Sequence, residues 1–446
     1  ANGVYPSGPR PAPVYQFAPA LQTTARRDVR RADKWSGEPL NIGLSRKTNA
    51  SLSSAPVLSS HLHIMVLAAL FPLLPAFFDV DYVQLGLALS LFNIVTALVQ
   101  APMGFAVDRF GARRLLLAAL AMGSGSFLLI ALVPSYLCLL IGMALAGVAN
   151  AVYHPADYAL LSRHIDPAHI GKAFSVHTFA GFLGAAVAPV FLLSIAVAST
   201  PAMAFAAAAA VGFVTLAVLS IPGAALAQVN HVSPAAEPAP LDTRRRSLLS
   251  PMVLSLTLLF VLLNLSTSAV EKFSVAALMQ GQGVALTWAN SALTAFLFAS
   301  AFGVLAGGAL ADRTRRHGVV AASAFALASV LMLLVATAHL SELALVLVLG
   351  AAGFLTGVIA PSRDMLVRAA SPKGAEGKTF GIVSTGFNIG GTLGPVGFAW
   401  LLDQGHPNAI FWASAAFMGL TVALTLMQER HLAKGRKIPA LQRPSS

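Results

Sequence analysis

Twelve long apolar runs dominate this chain and decide the solvent in which it can fold. A helix needs about 20 mostly apolar residues to cross the hydrocarbon core of a bilayer. Only 10% of the 446 residues are charged, against about 25% in soluble domains, so the chain cannot cover a water-exposed surface. The sequence therefore predicts an all-α polytopic membrane protein. Its expected spans are, roughly, residues 57–78, 83–107, 115–134, 136–162, 172–198, 201–226, 251–271, 285–311, 318–338, 341–367, 378–402 and 408–428.

A polar stretch over residues 227–249, with three prolines and three consecutive arginines, separates six runs from six. It predicts a linker between an N-terminal bundle, 57–226, and a C-terminal bundle, 250–428. Residues 1–56 are rich in Pro, Ser, Ala and Arg without an apolar period and predict a disordered basic tail. Residues 429–446 form a second predicted tail.

Positive charge predicts the orientation of the spans. With both termini inside, 28 of the 29 Lys and Arg residues fall on the inner side, and Lys272, beside Glu271 at an expected outer helix end, is the exception. Basic residues concentrate in cytoplasmic connections. We expect a bacterial inner membrane protein whose termini and linker are cytoplasmic. Because membrane topology accounts for the basic residues, we expect no nucleic-acid partner.

The two halves look like duplicates, which is typical of transporters. A shift of 206 residues aligns Gly147 with Gly353, Pro155 with Pro361, Gly184 with Gly390 and Pro189 with Pro395. A shift of 204 aligns Gly104, Asp108 and Arg109 with Gly308, Asp312 and Arg313. Such pairs predict two pseudo-symmetric six-helix bundles.

The connection between the second and third runs reads GFAVDRFGARR, with Gly104, Asp108, Arg109, Gly111, Arg113 and Arg114. A shorter copy, GALADRTRR, follows the eighth run and contains Gly308, Asp312 and Arg313. With twelve spans and a central linker, this pattern resembles the major facilitator superfamily. The resemblance implies that family's fold and alternating-access transport of a small solute.

The motif predicts a conformational latch on the cytoplasmic side. Asp108, at a helix end, can face the positive N-terminus of a helix in the other half. The arginines can pair with carboxylates or lipid phosphates, and Gly104 allows close approach of backbones. These contacts would favour the state closed to the cytoplasm.

Two glycine-rich helices are predicted to pack closely against neighbours. In the eleventh run, Gly386, Gly390 and Gly394 share one face ahead of Pro395. The fifth run has Gly184 and Pro189 and resembles an antiporter motif of the family, but Ala188 stands where that motif has glycine. Antiport and simple close packing therefore both stay open.

Polar groups inside spans are costly and ask for a function. His154 and Asp157 are three residues apart and share a helix face, so they are candidates for a proton or substrate pathway. Packing is the alternative for His154, and pairing with the latch arginines is the alternative for Asp157. Arg363 can pair with Asp157 across the halves or with its neighbour Asp364. His177 and Asn388 are further candidates, whereas His61 and His63 are expected at the membrane interface.

The element His154-Pro155-Ala156, with His177 downstream, resembles the branch that includes fosmidomycin-resistance exporters. No phosphate-binding loop is present, so we expect an ion gradient, most simply of protons, to drive export of a drug-like or organic anionic compound. Uptake of a small carboxylate with Arg363 as counter-ion is a second hypothesis, and a non-transporting membrane sensor or scaffold a third. We expect no enzymatic activity, no cofactor and no metal site.

Overall fold

The computed structural model describes residues 42–164, 170–221, 250–314, 316–371 and 376–437. Residues 47–446 form one compact unit and residues 1–46 another. All regular secondary structure in the described ranges is helical. The helices are α1 (Ile42–Leu70), α2 (Leu74–Phe78), α3 (Tyr82–Phe110), α4 (Ala112–Leu132), α5 (Tyr136–His164), α6 (Ile170–Ala198), α7 (Pro201–Ser220), α8 (Pro251–Gln282), α9 (Leu286–Arg313), α10 (His317–Thr337), α11 (Glu342–Ala370), α12 (Glu376–Asp403) and α13 (Ala409–Lys437).

The predicted all-α membrane fold is confirmed. Ten of the described helices are long and apolar enough to cross a bilayer, and the segment Ala55–Leu70 of α1 is a shorter apolar helix. The 28-residue α12 completes a set of twelve long helices in the described ranges. The short α2 is the extra element, because the first apolar run breaks after Leu70 and restarts as a five-residue helix with proline in its first turn.

Helix ends differ from the predicted boundaries because hydropathy does not register polar turns that continue a helix. The predicted tail extended to residue 56, but α1 begins within it at Ile42. At the other end α13 continues past residue 428 to Lys437. The predicted linker, residues 227–249, lies outside the described residues.

The largest correction concerns the seventh apolar run. It was predicted to end at residue 271, with Glu271 and Lys272 at an outer helix end, but α8 continues to Gln282. Both charged residues therefore lie inside a 32-residue helix, where each is partly buried. The correction also moves Lys272 out of the outer connection, so the connection after α8, Gly283–Ala285, has no basic residue.

The predicted duplication is visible in how glycines pack. In the N-terminal half, a Cβ atom at Gly147 of α5 would lie 2.7 Å from the Phe92 carbonyl oxygen of α3. In the C-terminal half, Gly353 of α11 lies even closer against the Phe296 carbonyl of α9. Both glycines and both phenylalanines are related by the sequence shifts that align the halves. The same local sequence therefore builds the same helix pair twice.

The two halves contact each other through α3 with α12 and through α6 with α9. The short connections 79–81, 133–135, 199–200, 283–285, 338–341 and 404–408 lie at one end of the helices, which we call the hairpin side. The opposite end, at which α7 ends and α8 begins, is the linker side.

Candidate functional site

Three helices of the N-terminal half bring four titratable side chains together inside the bundle. The ring centroids of His61 in α1 and His154 in α5 are 6.3 Å apart, with the rings nearly perpendicular at 88°. His177 Nε2 in α6 lies 4.0 Å from Asp157 Oδ2. Asp157 is 3% exposed and His177 is 5% exposed. We call these four residues the histidine cluster.

Local sequence explains how α5 contributes two members of the histidine cluster. His154 and Asp157 are three residues apart and so lie on neighbouring turns of one face. Pro155 lies between them inside the helix, and its missing N–H removes one backbone hydrogen bond from the preceding turn. The resulting site joins a carboxylate to imidazoles that can each gain or lose a proton.

His61, which was predicted at the membrane interface, packs its ring against that of His154 in α5. Because α1 begins well before the apolar run, His61 lies inside the helix and belongs to the histidine cluster. A Cβ atom at Gly181 of α6 would lie 2.9 Å from His61 Nε2, so glycine at 181 leaves the space that the imidazole ring fills. The signals available in the sequence were a histidine inside a predicted span and a glycine on the facing helix.

Arg363 occupies the matching position in the C-terminal half. Asp157 lies 21 residues after Tyr136, the first residue of α5, and Arg363 lies 21 residues after Glu342, the first residue of α11. Arg363 Nε donates to Asp364 Oδ1 at 2.9 Å. Of the two pairings left open by the sequence, the structure therefore contains the one within α11.

Aromatic rings hold Arg363 on two sides. Its guanidinium carbon lies 4.8 Å from the centroid of the Phe260 ring and 5.0 Å from that of Phe387. Cations are attracted to the faces of such rings. The side chain of Asp364 is 46% exposed, so an anion arriving from solvent can compete with it for Arg363.

The motif residues at the linker side are mostly exposed. Asp108, Arg109 and Arg114 are exposed at the junction of α3 and α4, and Arg113 donates to the Leu219 carbonyl at 2.9 Å. Gly111 connects the two helices alone with φ of 91°, a conformation that favours glycine. In the second copy Arg313 is exposed, and the side chain of Asp312 lies outside the described ones.

The close approach expected at Gly104 is absent from this conformation. Among the described residues, no atom lies within 4 Å of a Cβ built at Gly104 or at its counterpart Gly308. Instead Gly303 and Gly307, earlier in α9, contact the backbone carbonyls of Phe354 and Val358 in α11. Close packing in α9 thus ends at Gly307, immediately before the motif copy that begins at Gly308.

The predicted packing glycines face neighbours within their own half. Gly184 in α6 lies against the Leu58 carbonyl of α1, and Gly386 in α12 against the Thr257 carbonyl of α8. A Cβ at Gly390 would lie 2.9 Å from Asn264, and one at Gly394 would lie 3.2 Å from Leu265. Pro189 in α6 and Pro395 in α12 are buried, and Asn388 in α12 is partly buried.

Known proteins resemble this chain in sequence and in fold. The family model described as "Major Facilitator Superfamily" matches residues 57–284 and 272–445. The chain is 26% identical over 285 residues to the fosmidomycin resistance protein of Escherichia coli (strain K12), covering 61% of this chain and 68% of that protein. It is 30% identical over 128 residues to probable anion transporter 6 of Oryza sativa subsp. japonica, covering 28% of this chain and 30% of that protein.

Two further similarities are more distant. A multidrug resistance protein B homolog of Mycobacterium tuberculosis (strain ATCC 25618 / H37Rv) is 25% identical over 178 residues, which are 40% of this chain and 32% of that protein. The crystal structure of a bacterial homolog of the human lysosomal transporter Spinster, inward-facing and occupied, has a TM-score of 0.68 at 15% identity and covers 91% of this chain and 100% of that one. The similarity to the Spinster homolog concerns the fold alone.

Proposed function

The chain belongs to the major facilitator superfamily, and we propose that it is a proton-coupled secondary transporter that exports a drug-like or organic anionic compound. The observation that carries the proposal is the histidine cluster. Ionisable side chains inside spanning segments are costly and mark ion or substrate pathways. Histidine is the side chain whose unperturbed titration lies nearest to neutral pH.

Two features support the direction and the class of substrate. The relatives that confer resistance to fosmidomycin and to multiple drugs favour export, and the anion transporter relative favours an anionic substrate. Arg363, held between two aromatic rings, is the cation that faces such a substrate. Uptake of a small carboxylate through the same arginine is the second candidate, which differs in substrate and in the direction of coupling.

The orientation proposed for the protein has the linker side in the cytoplasm. Support comes from the basic residues, since the connections of the hairpin side contain no Lys or Arg once Lys272 is assigned to α8. A bacterial inner membrane is the proposed location. The histidine cluster is then nearer to the cytoplasmic side, because Asp157 lies seven residues before the end of α5 at His164.

The test begins with a thermal-shift screen of the purified protein against organic acids, phosphonates such as fosmidomycin, and cationic drugs. Flux of the compound that binds is then measured in proteoliposomes with an imposed pH gradient. Accumulation against the substrate gradient establishes proton coupling, and its direction separates export from uptake. Absence of flux for every bound compound would support a sensor or scaffold instead.

We predict that His154→Gln abolishes uphill transport but keeps substrate binding and downhill exchange, because glutamine retains polarity without gaining a proton. Asp157→Asn is expected to do the same. The matched control is His406→Gln, which makes the same change at an exposed position on the hairpin side. Uphill transport by His154→Gln with an unchanged dependence on the pH gradient would remove His154 from the mechanism.

A further inference from the structure

A second polar site lies inside the N-terminal half, on the other face of α1. His63 is two residues after His61, and residues so spaced point about 200° apart on a helix. His63 is 7% exposed and Tyr153 of α5 is 3% exposed. The rings of His63 and Phe127 pack at 4.9 Å between centroids, so the imidazole is held in an apolar wall of α4.

The hydrogen-bonding state of His63 follows from its other nitrogen. His63 Nε2 lies 2.9 Å from the Ala208 carbonyl oxygen of α7. A carbonyl oxygen only accepts, so Nε2 carries the proton and Nδ1 of the neutral ring has an acceptor lone pair. In the described part of the chain, His63 Nδ1 and Tyr153 Oη are both buried and both lack a hydrogen-bond partner. Buried polar atoms are almost always paired.

Both atoms point at the same small space beside Gly123 of α4. A Cβ atom built at Gly123 would lie 3.3 Å from Tyr153 Oη and 3.4 Å from His63 Nδ1. The cavity there is lined by both residues and by Ser60, Asn150 and Phe127. Its size is about that of one water molecule, and an enclosed water needs two to four polar partners.

We propose that this cavity binds one water molecule, which accepts a hydrogen bond from Tyr153 Oη and donates one to His63 Nδ1. Ser60 and Asn150 supply further polar atoms in the lining. The water joins α1 to α5 on the face opposite the histidine cluster and fixes the Tyr153 side chain one turn before Asp157. This site is independent of the proposed transport activity, because it needs neither substrate nor proton gradient.

Gly123→Ala tests the proposal because its methyl group occupies the position of the water. The nearest contacts of that methyl, 3.3 Å to 3.5 Å, require neighbours to move only slightly. Gly125→Ala is the matched control in the same helix, since no described atom lies within 4 Å of a Cβ there. Both changes raise helix propensity equally.

The measurement is oxidation of Tyr153 by hydroxyl radicals formed in a millisecond X-ray pulse, read by mass spectrometry on the full-length protein in detergent. Radicals formed from a bound water label the adjacent ring although bulk solvent does not reach it. Tyr153 should be labelled in the parent and in Gly125→Ala, and the label should fall in Gly123→Ala to the level of the core residue Phe205, which is 0% exposed.

Labelling of Tyr153 in the parent no faster than of Phe205, or an unchanged label in folded Gly123→Ala, would overturn the proposal. If Gly123→Ala does not fold, Tyr153→Phe keeps the ring and removes the donor, and the label at position 153 should be lost. A high-resolution density map of the parent must also contain a peak within hydrogen-bond distance of His63 Nδ1 and Tyr153 Oη. A map without that peak contradicts the site.

Discussion

The two ends of the α3–α12 pair are joined differently. On the hairpin side, the Asp403 carboxylate at the end of α12 accepts hydrogen bonds from the backbone N–H groups of Tyr82, at 3.1 Å, and Val83, at 2.8 Å. These are the first two residues of α3, where unpaired N–H groups and the helix dipole favour an anion. One helix of the C-terminal half therefore caps one of the N-terminal half.

Close contact continues inward from that cap. A Cβ atom at Gly86 would lie 2.6 Å from the Pro395 carbonyl oxygen, and the Ser90 hydroxyl donates to the Thr392 carbonyl at 2.6 Å. Small and polar side chains allow the two backbones to approach. The hairpin side of this helix pair is closed.

The linker side of the same pair is open. Among the described residues, no atom lies within 4 Å of a Cβ built at Gly104 of α3 or at Gly381 of α12. Phe105 is 80% exposed, although it lies on the helix whose other end is tightly packed. At these positions α3 and α12 lack the close contacts that they make on the hairpin side, which fits a conformation open on the linker side.

Aspartates lie at opposite ends of these two antiparallel helices. Asp403 ends α12 and caps α3, and Asp108 lies near the end of α3 on the side where α12 begins. We expect Asp108 to face the N-terminus of α12 when the linker side closes. In an alternating-access cycle the cap at Asp403 and a contact of Asp108 with α12 would stabilise opposite states, so their difference in free energy would bias the alternation.

The largest expected effect comes from Gly86→Ala, because the neighbouring atom is a backbone carbonyl that cannot rotate away. Overpacking of this kind costs about 1–3 kcal/mol, which raises the ratio of hairpin-open to hairpin-closed molecules about 5- to 150-fold. In a variant without Cys138, spin labels at Val133 and His339, on hairpin-side connections of the two halves, should report a longer distance.

The control for Gly86→Ala is Gly397→Ala in α12. Position 397 is exposed and no described atom lies within 4 Å of a Cβ there. The spin-label distances of this control should match those of the parent. Equal distances in Gly86→Ala and Gly397→Ala would mean that contact at Gly86 does not hold the hairpin side closed.

A smaller shift in the same direction is expected from Asp403→Asn. The amide keeps one acceptor oxygen but loses the charge, and an exposed charge at a helix N-terminus contributes about 0.3–1 kcal/mol. The hairpin-open population should therefore rise about two- to fivefold, with less change at high salt. Asp79→Asn removes one charge on the same side and should leave the distances unchanged.

The features that repeat, and those that follow from the membrane as solvent, could be predicted from the sequence. Apolar runs located the spans, and paired glycines located the duplicated contacts of Gly147 and Gly353. Asp403 gave no signal, because its partners are backbone N–H groups about 320 residues away in the chain. From sequence alone, an acidic residue at a predicted helix end is expected to be solvated, because the neighbouring helix is known only from the fold.

The histidine cluster was found only in part for a related reason. His154 and Asp157 are close in sequence, so their shared face could be predicted from helix geometry. His61 comes from α1, and only the crossing of α1 with α6 at Gly181 brings its ring to the site. The position of Lys272 was predicted wrongly because the charged pair Glu271 and Lys272 interrupts the apolar run, and such an interruption is also typical of a helix end.

Asp108→Asn is expected to lower the hairpin-open population, opposite to Gly86→Ala and Asp403→Asn. Its effect should be the smallest of the three. The substitution weakens only the state that is closed on the linker side and open on the hairpin side. The structure is closed on the hairpin side, so only the minor hairpin-open population can fall. The two aspartates are about 40 Å apart along α3, and distant substitutions add. The double variant Asp108→Asn/Asp403→Asn should therefore return toward the distances of the parent. If Asp108→Asn lengthened the Val133–His339 distance, or left the double variant identical to Asp403→Asn, Asp108 would not be the counterpart of Asp403.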